Sequence, residues 1–337
     1  MTTSFHTLNY PFRKLGFVNT HKALYKTRWN QGLALALSPV LLQTRKFPEY
    51  KKNSGLSTAC SNSFLGLPNT IGIIGGQSVN STVIFLKKLV QWSKNGESCP
   101  PFILCSDPVL NKELLLTQRS SLPWLDSKNK RTKLDPTSVV ENLRSKRIYL
   151  ENSGARCIVM PCHISHSWHN EISDGCSVPF LHMGECVAKG LKEAKLKPLE
   201  ARSPLRIGVL ATNATLTAGF YQEKLKREGF EVVLPDKATM EHTVIPAIEA
   251  FNRKDIEGSQ NLLRIAIQVL LVRAVNSVIL AFDDMHDLLP RDDPLIKKCI
   301  DPMDALAWST IKWATSAEKG TIKKKDRVAE SLENRQR

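Results

Sequence analysis

The most constraining feature of the sequence is a pattern that occurs twice. A short apolar run ending in a tight turn covers residues 71–76, and a similar run returns at 205–212. Each run is followed by a segment with helical spacing of apolar residues, at 81–92 and 217–228. Strands that alternate with helices form parallel sheets covered on both faces. The sequence therefore predicts an α/β fold of two similar Rossmann-like domains with parallel sheets, related by a pseudo-two-fold axis.

The spacing of the two series sets the expected domain boundaries. We expect an N-terminal α/β domain over 67–200 and a C-terminal α/β domain over 201–317. Residues 290–317 are expected to pack back as a closing helix, and residues 318–337 to form a basic tail. Ligands of parallel α/β sheets bind beyond the carboxyl ends of the strands. We therefore expect a small-molecule site in the interdomain cleft, faced by the loops after Ile74, Met160, Leu210 and Leu280.

The net charge of +15 is concentrated at the ends of the chain. Residues 1–66 hold nine Lys and Arg against one acid, Glu49, and they are rich in Ser and Thr. This composition is typical of an organellar transit peptide, and a disordered basic tail is the other interpretation. Residues 57–60 (Ser-Thr-Ala-Cys) resemble a chloroplast processing site, so we expect the chloroplast, with the mitochondrion as the alternative.

Charge and hydropathy also restrict the expected partners. Positive charge placed at the chain ends argues against a nucleic-acid-binding face on the folded part. The apolar run 32–42 is too short to span a bilayer, so we expect no membrane partner. The sequence has eight cysteines, without a CxxC pair or a Cys/His spacing that matches a zinc site. We therefore expect mostly free thiols and no metal site.

Two loops occupy equivalent places in the two halves. In the first, an apolar strand at 157–160 leads into a Pro-Cys-His segment that contains Cys162 and His163. In the second, a strand at 277–280 leads into Phe282 and Asp283. Aligning the two strands puts Cys162 opposite Phe282 and His163 opposite Asp283.

With these loops the chain resembles the aspartate/glutamate racemase family. Cys162 and His166 match the first and last residues of a family motif, Cys-Asn-Thr-Ala-His, which carries the first catalytic cysteine. The Gly-Gly turn at 71–76 also matches, as do 210–212 (Leu-Ala-Thr), Thr215 and Tyr221. The family's second catalytic cysteine lies in a Gly-Cys-Thr-Glu motif, and Phe282 stands at its position here.

The resemblance implies a cofactor-independent enzyme that uses neither pyridoxal phosphate nor a metal, acts on a small carboxylate or amino acid, and forms a homodimer. In this family one thiolate removes the α-proton and a thiol on the opposite face returns a proton. A helix N-terminus after the strand is expected to lower the pKa of Cys162. Because Phe282 cannot transfer a proton, we expect the replacement among Asp283, Asp284 and His286, although Asp283 and Asp284 also suit a helix cap.

Three functional hypotheses remain open. The first is a racemase or epimerase acting on aspartate, glutamate or a related acid through thiolate abstraction by Cys162, with a replacement for the second thiol. The second is a one-sided decarboxylase or lyase that uses Cys162 alone. The third is a non-catalytic binding protein that keeps the fold. The residues expected to contact the substrate are Gln77, Ser78, Asn80, His163, Ser165, His166, Thr212, Thr215 and Lys112.

Overall fold

The computed structural model of the protein describes residues 67–93, 99–120, 136–196, 203–285 and 287–336. The expected transit peptide, residues 1–66, lies outside these ranges. Among the residues described, helices long and apolar enough to cross a bilayer are absent.

The first half folds around a parallel sheet. Within the described residues its central strand, β1 (Ile71–Ile74), lies between β2 (Phe102–Cys105) and β3 (Cys157–Val159). β1 and β3 are buried along their whole length, which is why they appear as unbroken apolar runs rather than alternating ones. The helices of this half are α1 (Val79–Trp92), α2 (Pro108–Ser120), α3 (Thr137–Asn152), α4 (His169–Ser173) and α5 (Met183–Glu193), with a 3-10 helix at Ile164–Trp168.

The second half repeats this plan. Here β4 (Arg206–Ala211) is central, between β5 (Glu231–Val233) and β6 (Ser277–Ala281), and β7 (Cys299–Ile300) pairs with β6. The helices are α6 (Asn213–Ala218), α7 (Phe220–Arg227), α8 (Lys237–Thr239), α9 (Ile245–Asn252), α10 (Ile256–Val272) and α11 (Pro302–Gln336), with a π-helix at Met240–Val244 and a 3-10 helix at Pro294–Lys298.

The two halves correspond down to the sheet edge. In the second half Val278 of β6 pairs with Cys299 of β7. In the first half the corresponding residue of β3, Ile158, forms a parallel bridge with Phe180. Both sheets are parallel and place their strands in the same order around a central first strand. The predicted α/β fold with two Rossmann-like repeats is confirmed; the predicted domain boundaries stay a prediction.

A shared core lies between the two sheets. It contains Ile71 and Ile73 of β1, Ile207 and Val209 of β4, and Leu306 of α11, all fully buried. Side chains of α1, α5 and α7 complete it. The outer face of the first sheet packs on α2 and α3, and the outer face of the second on α9 and α10. Because one core serves both sheets, the described residues form one compact unit.

The helix after β4 differs from the sequence-based expectation. The segment 217–228 was expected to be a single helix, but the chain forms α6 and α7 with a break at Gly219. Gly219 has φ +73°, a left-handed conformation that glycine adopts without steric cost. The helical spacing of apolar residues continues across Gly219, so the sequence pattern does not indicate the break. As a result α6 is a separate short helix, which packs against the 3-10 helix Ile164–Trp168 of the first half.

The closing helix both begins and ends later than expected, and the expected range 290–301 instead contains the 3-10 helix Pro294–Lys298 and β7. α11 begins at Pro302 and packs against α1 and α5 through its first turns, with Leu306 and Ile311 in the shared core. It then continues to Gln336 through the residues expected to form a basic tail. Because α11 also contacts β6, it joins the two halves of the described protein.

The strand order identifies the ligand crevice of each sheet. In the first sheet the chain leaves β1 towards β2 and returns to β3 on the other side, so the crevice lies between β1 and β3. In the second sheet the same reasoning places it between β4 and β6. The loops at these points are those that follow Ile74, Val159, Ala211 and Ala281.

Candidate active site

Cys162 lies at the crevice of the first sheet, beside the Gly-Gly turn. Its side chain is fully buried. Gly76 lies so close that a Cβ atom built on it would come 2.8 Å from the Cys162 Sγ atom and closer still to its Cβ. Real Cβ atoms do not approach this near, so the turn that follows β1 needs glycine at this position in order to admit the thiol.

The thiol is surrounded by hydrogen-bond donors. The Gln77 backbone N–H points at Sγ with an N–S distance of 3.5 Å. The backbone and hydroxyl groups of Ser165 lie near the thiol and also act to lower its pKa. These three contacts favour the thiolate and agree with the expected role of a helix start next to Cys162.

The expectation that Cys162 has a lowered pKa is nevertheless wrong for the closed site. Burial raises the pKa of Cys162 to about 12, and the nearby charge of Asp283 acts in the same direction. The loss of hydration disfavours the charged thiolate more strongly than the hydrogen bonds of Gln77 and Ser165 favour it. In the closed site Cys162 is therefore a neutral thiol.

Asp283 of the second half faces this thiol. Its Oδ2 atom lies 3.9 Å from Cys162 Sγ, and its Oδ1 atom accepts a hydrogen bond of 3.0 Å from the His163 backbone N–H. The side chain of Phe282, which the strand alignment put opposite Cys162, instead belongs to the outer core of the second half. Successive residues alternate in direction as the strand ends, so the group that reaches the thiol comes one residue later.

The environment of Asp283 changes its protonation. Burial raises the pKa of Asp283 to about 7, and the charge of Asp284 contributes in the same direction. The hydrogen bond from His163 and the contact with Cys162 partly oppose this rise. Asp283 thus exchanges its proton near neutral pH, while Asp284 is only half-buried. His286, the third replacement considered, lies outside the described residues.

The two motif histidines have different surroundings. His163 places its ring Nδ1 atom 2.8 Å from the hydroxyl oxygen of Tyr221, which lies on α7 in the other half. His166 donates from Nε2 to the Met160 carbonyl oxygen at 2.9 Å. Burial, together with the neighbouring His182 and His169, holds the pKa of His166 well below its ordinary value. His166 is therefore a neutral ring, and its hydrogen bond to Met160 stabilises the segment that follows β3.

In the sequence Tyr221 is recognisable only as a match to the family pattern, without an expected role at the site. Its ring is fully buried in the shared core, and burial raises its pKa well above the ordinary value. Its place in the family pattern was the available signal. What the sequence lacks is the pairing with His163, a contact between side chains 58 positions apart.

The remaining expected residues divide into two groups. Thr212 and Thr215 are buried at the start of α6, where the Thr212 hydroxyl accepts from the Thr215 N–H at 3.4 Å. Ser78 caps α1 by accepting from the Ser81 N–H at 3.3 Å. Asn80 and Lys112 have exposed side chains on α1 and α2. The structure thus brings Gln77, His163, Ser165 and Asp283 to Cys162 and leaves Asn80 and Lys112 at the surface.

In the ranges that the structure describes, groups of three or more His, Cys, Asp and Glu with a geometry fit to hold a metal ion are absent. Three histidines, His166, His169 and His182, do lie with ring centroids 4.7 to 5.8 Å apart. Each ring is instead engaged by the backbone, through the Met160 and Phe180 carbonyl groups and the Gly184 N–H.

Comparison with known proteins identifies relatives of this chain. The sequence profile of the Asp/Glu/hydantoin racemase family matches residues 74–310. The broad specificity amino-acid racemase RacX of Bacillus subtilis is 25% identical over 166 residues, which cover 49% of this chain and 64% of RacX. An uncharacterized protein of Pectobacterium carotovorum is 27% identical over 149 residues, which cover 43% of this chain and 92% of that protein.

Two solved structures share the fold. The aspartate racemase of Picrophilus torridus superposes with a TM-score of 0.54 at 24% identity, covering 73% of this chain and 94% of that one. An aspartate racemase homologue from Pyrococcus horikoshii gives a TM-score of 0.57 at 20% identity, with coverage of 73% and 99%. Since the sequence profile extends over more than half of the chain, the chain belongs to the Asp/Glu/hydantoin racemase family.

Proposed function

We propose that the protein is a cofactor-independent racemase or epimerase acting on aspartate, glutamate or a related small carboxylate, with Cys162 and Asp283 as its acid–base pair. The observation that carries this proposal is the 3.9 Å contact between Cys162 Sγ and Asp283 Oδ2, two proton-carrying groups from opposite halves. Membership of the racemase family supports the reaction class. The name of RacX supports an amino acid as substrate.

The pKa values suggest how the proton is shared. Because the pKa of Asp283 is about 7 and that of Cys162 about 12, the pair consists of a carboxylate and a thiol once the pH exceeds about 7. In one direction Asp283 takes the α-proton, the bonding electrons enter an enediolate, and the Cys162 thiol gives its proton to the other face of Cα. In the reverse direction the Cys162 thiolate abstracts and the Asp283 carboxylic acid donates.

The pair has to be reset after each turnover. Inversion in the first direction leaves a thiolate on Cys162 and a proton on Asp283. Once the product has left, the two groups return to the observed distance of 3.9 Å, and the proton passes from Asp283 to Cys162. The close contact therefore serves the recovery of the enzyme.

The reacting complex requires a wider spacing. Each reacting atom approaches Cα to about 3 to 3.5 Å, so two groups on opposite faces stand roughly 6 to 7 Å apart. The observed 3.9 Å is shorter, and both side chains are nearly excluded from solvent. We infer that the halves open to admit the substrate. The His163 N–H, which Asp283 now occupies, then becomes available to the substrate carboxylate.

Deuterium wash-in tests the proposal. The protein is incubated in D2O with single enantiomers of aspartate, glutamate and amino acids with neutral side chains, and both deuterium at Cα and optical inversion are followed. Exchange with inversion supports the two-sided acid–base pair. Exchange without inversion supports one-sided chemistry, and the absence of both with all substrates contradicts the proposal.

Matched variants assign the roles. We expect Cys162→Ala and Asp283→Asn each to reduce inversion by at least 100-fold, the scale of losing a general acid or base. Asp284→Asn distinguishes the roles of the two neighbouring carboxylates. A larger loss of inversion in Asp284→Asn than in Asp283→Asn would refute the role of Asp283. Cys99→Ala removes another free thiol, located before β2, and serves as the control.

A second candidate is a decarboxylase that uses Cys162 alone. The observation in its favour is the protonated state of Cys162, because the enediolate left by the loss of CO2 needs one proton donor on one face. The test is CO2 release from malonate-type acids. Release that survives Asp283→Asn and fails in Cys162→Ala would favour this candidate. If neither assay finds turnover, a non-catalytic binding role becomes the better account.

Two proposals concern the whole protein. We propose that residues 1–66 direct import into the chloroplast, since the segment is basic, almost free of acids and rich in Ser and Thr. A fluorescent protein fused after residue 66 tests this, and mitochondrial fluorescence would select the alternative. From the resemblance to the racemases we also propose a homodimer, which light scattering of the purified chain tests directly.

A further inference from the structure

One hydrogen bond joins the two halves next to the Cys162 thiol. The His163 ring Nδ1 atom lies 2.8 Å from the Tyr221 hydroxyl oxygen, and both side chains are at most 1% exposed. Tyr221 belongs to α7 in the second half, and His163 belongs to the loop after β3 in the first. A direct hydrogen bond in such a dry setting is stronger than the same bond in water.

His163 binds the second half twice. Its backbone N–H donates to Asp283 Oδ1 at 3.0 Å, and its ring meets Tyr221. The peptide bond that precedes His163 belongs to Cys162, so a displacement of His163 also displaces the thiol. The Cys162 to Asp283 distance therefore depends on where the His163 ring is held.

Tyr221 is itself firmly placed. Its ring packs against Phe220 with centroids 4.4 Å apart, and both lie in the core shared by the two sheets. Burial raises the pKa of Tyr221 well above its ordinary value, so the hydroxyl keeps its proton. A neutral hydroxyl on a rigid ring is a fixed hydrogen-bonding point for the imidazole.

We propose that Tyr221 is a positioning residue, which holds the His163 ring, sets the approach of Cys162 to Asp283 and keeps the closed site from opening. The effect on turnover rests on the function proposed above. The effect on opening does not, because it depends only on the contact between the halves.

Alkylation of Cys162 measures the opening without any substrate. The full chain is treated with iodoacetamide, and the modified peptides are quantified over time by mass spectrometry. Cys162 and Cys157 are both fully buried, so each reacts only after the structure opens. Cys157, in β3, reports opening of the core, and Cys162 reports opening of the site.

Tyr221→Phe removes the hydroxyl and keeps the ring. We expect alkylation of Cys162 to become about 2- to 10-fold faster, the scale of one buried hydrogen bond, with Cys157 unchanged. Tyr149→Phe makes the same change on a ring that is 58% exposed and is expected to alter neither rate. An unchanged Cys162 rate, or an equal increase at Cys157, would overturn the proposal.

A double-mutant cycle tests whether Tyr221 acts through His163. His163→Asn introduces the residue that the family motif carries here and removes the ring. If the ring transmits the effect, Tyr221→Phe adds nothing to the Cys162 alkylation rate in the His163→Asn background. Additive rates would refute transmission through His163. Where wild-type exchange is measurable, Tyr221→Phe should lower kcat more than it changes KM. If the wild-type protein shows no exchange, the proposed function is refuted. The alkylation rates then still decide whether Tyr221 holds the site closed.

Discussion

At the scale of single residues, the site is governed by the exclusion of water. Cys162 and Asp283 each lose hydration, and for both the pKa rises, to about 12 for the thiol and about 7 for the carboxyl group. Because both pKa values rise, that of Cys162 remains the higher of the two, and the proton stays on sulfur. The cleft thus offers a base that is active near neutral pH next to a thiol that retains its proton.

The protonation of Asp283 predicts the pH dependence of exchange. The carboxylate is the base, and it predominates above its pKa, so the rate of α-proton exchange should rise as the pH increases through about 7. The measurement is the initial deuterium wash-in rate between pH 5.5 and 9, with circular dichroism at each pH as a folding control. A rate that is flat or falls with increasing pH across this range would refute the assignment.

The approach of Gly76 to Cys162 predicts an intolerant position. Gly76→Ala adds a methyl group inside the contact radius of the thiol, and backbone atoms near the site must shift. We expect a loss of exchange activity and of roughly 1 to 3 kcal/mol in the free energy of unfolding, as for overpacked sites. Gly320→Ala in α11, where the added Cβ atom meets no other atom within 4 Å, is the control and should be neutral or slightly stabilising.

At the scale of elements, the sequence predicted those features that depend on burial along one segment. β1, β3, β4 and β6 were visible as apolar runs because both faces of a parallel strand are covered. The break at Gly219 was not, since one glycine does not interrupt the apolar spacing. Nor was the meeting of Asp283 with Cys162, because the direction of a side chain just past a strand end depends on one residue of register.

The contact of Tyr221 with His163 illustrates a different limit. Both residues were identified in the sequence, one as a family marker and one as an expected substrate contact. Their pairing depends on how α7 packs against the loop after β3, which is a property of the assembled halves. Local sequence patterns contain no signal for it.

The cluster of His166, His169 and His182 predicts acid sensitivity. Burial holds all three pKa values below the ordinary 6.5, that of His182 at about 3, and Lys224 opposes the protonation of His169 and His182, while Glu185 favours that of His169. At a pH below 6.5 the unfolded chain therefore binds more protons than the folded chain. Stability should be full above pH 6.5 and fall as the pH decreases below it; for His182 the loss should be about 1.4 kcal/mol per pH unit until the pH approaches about 3.

Urea unfolding at pH 7.5, 6 and 5 measures this loss. His182→Asn keeps an oxygen acceptor for the Gly184 N–H, which the His182 ring now caps at 3.0 Å, and removes the titrating group. It should reduce the dependence of unfolding free energy on pH. His242→Asn, on an exposed part of the π-helix, should leave that dependence as in the wild type. An unchanged slope in His182→Asn would contradict this explanation.

At the scale of the whole molecule, the two sheets are not independent. Their inner faces share one core, and α11 closes it by contacting α1 and α5. Lys88 of α1 adds ion pairs of 2.8 and 3.0 Å with Asp301 and Asp304 at the start of α11. The halves of the protein should therefore gain and lose their structure together, although the proposed reaction requires them to separate slightly at the cleft.

Leu306→Ala tests this coupling. Removing a fully buried leucine from the shared core should lower the free energy of unfolding by about 2 to 5 kcal/mol. Tryptophan fluorescence and circular dichroism should still report one coincident urea transition. Val272→Ala, at a side chain that is 87% exposed, should change stability by less than about 0.5 kcal/mol. Two separate transitions in the wild type would show that the halves unfold independently.

Because Cys162 and Asp283 are chemically different groups, the proposed catalyst uses a different base for each of the two enantiomers. A pair of thiols presents the same chemical group to both faces of Cα, whereas a thiol facing a carboxylate removes protons from one enantiomer with oxygen and from the other with sulfur. Interconversion of free enantiomers has an equilibrium constant of one, so kcat/KM has to be equal in both directions. We therefore expect the asymmetry of Cys162 and Asp283 to appear in kcat and KM separately, with one enantiomer showing both a lower KM and a lower kcat than its mirror image.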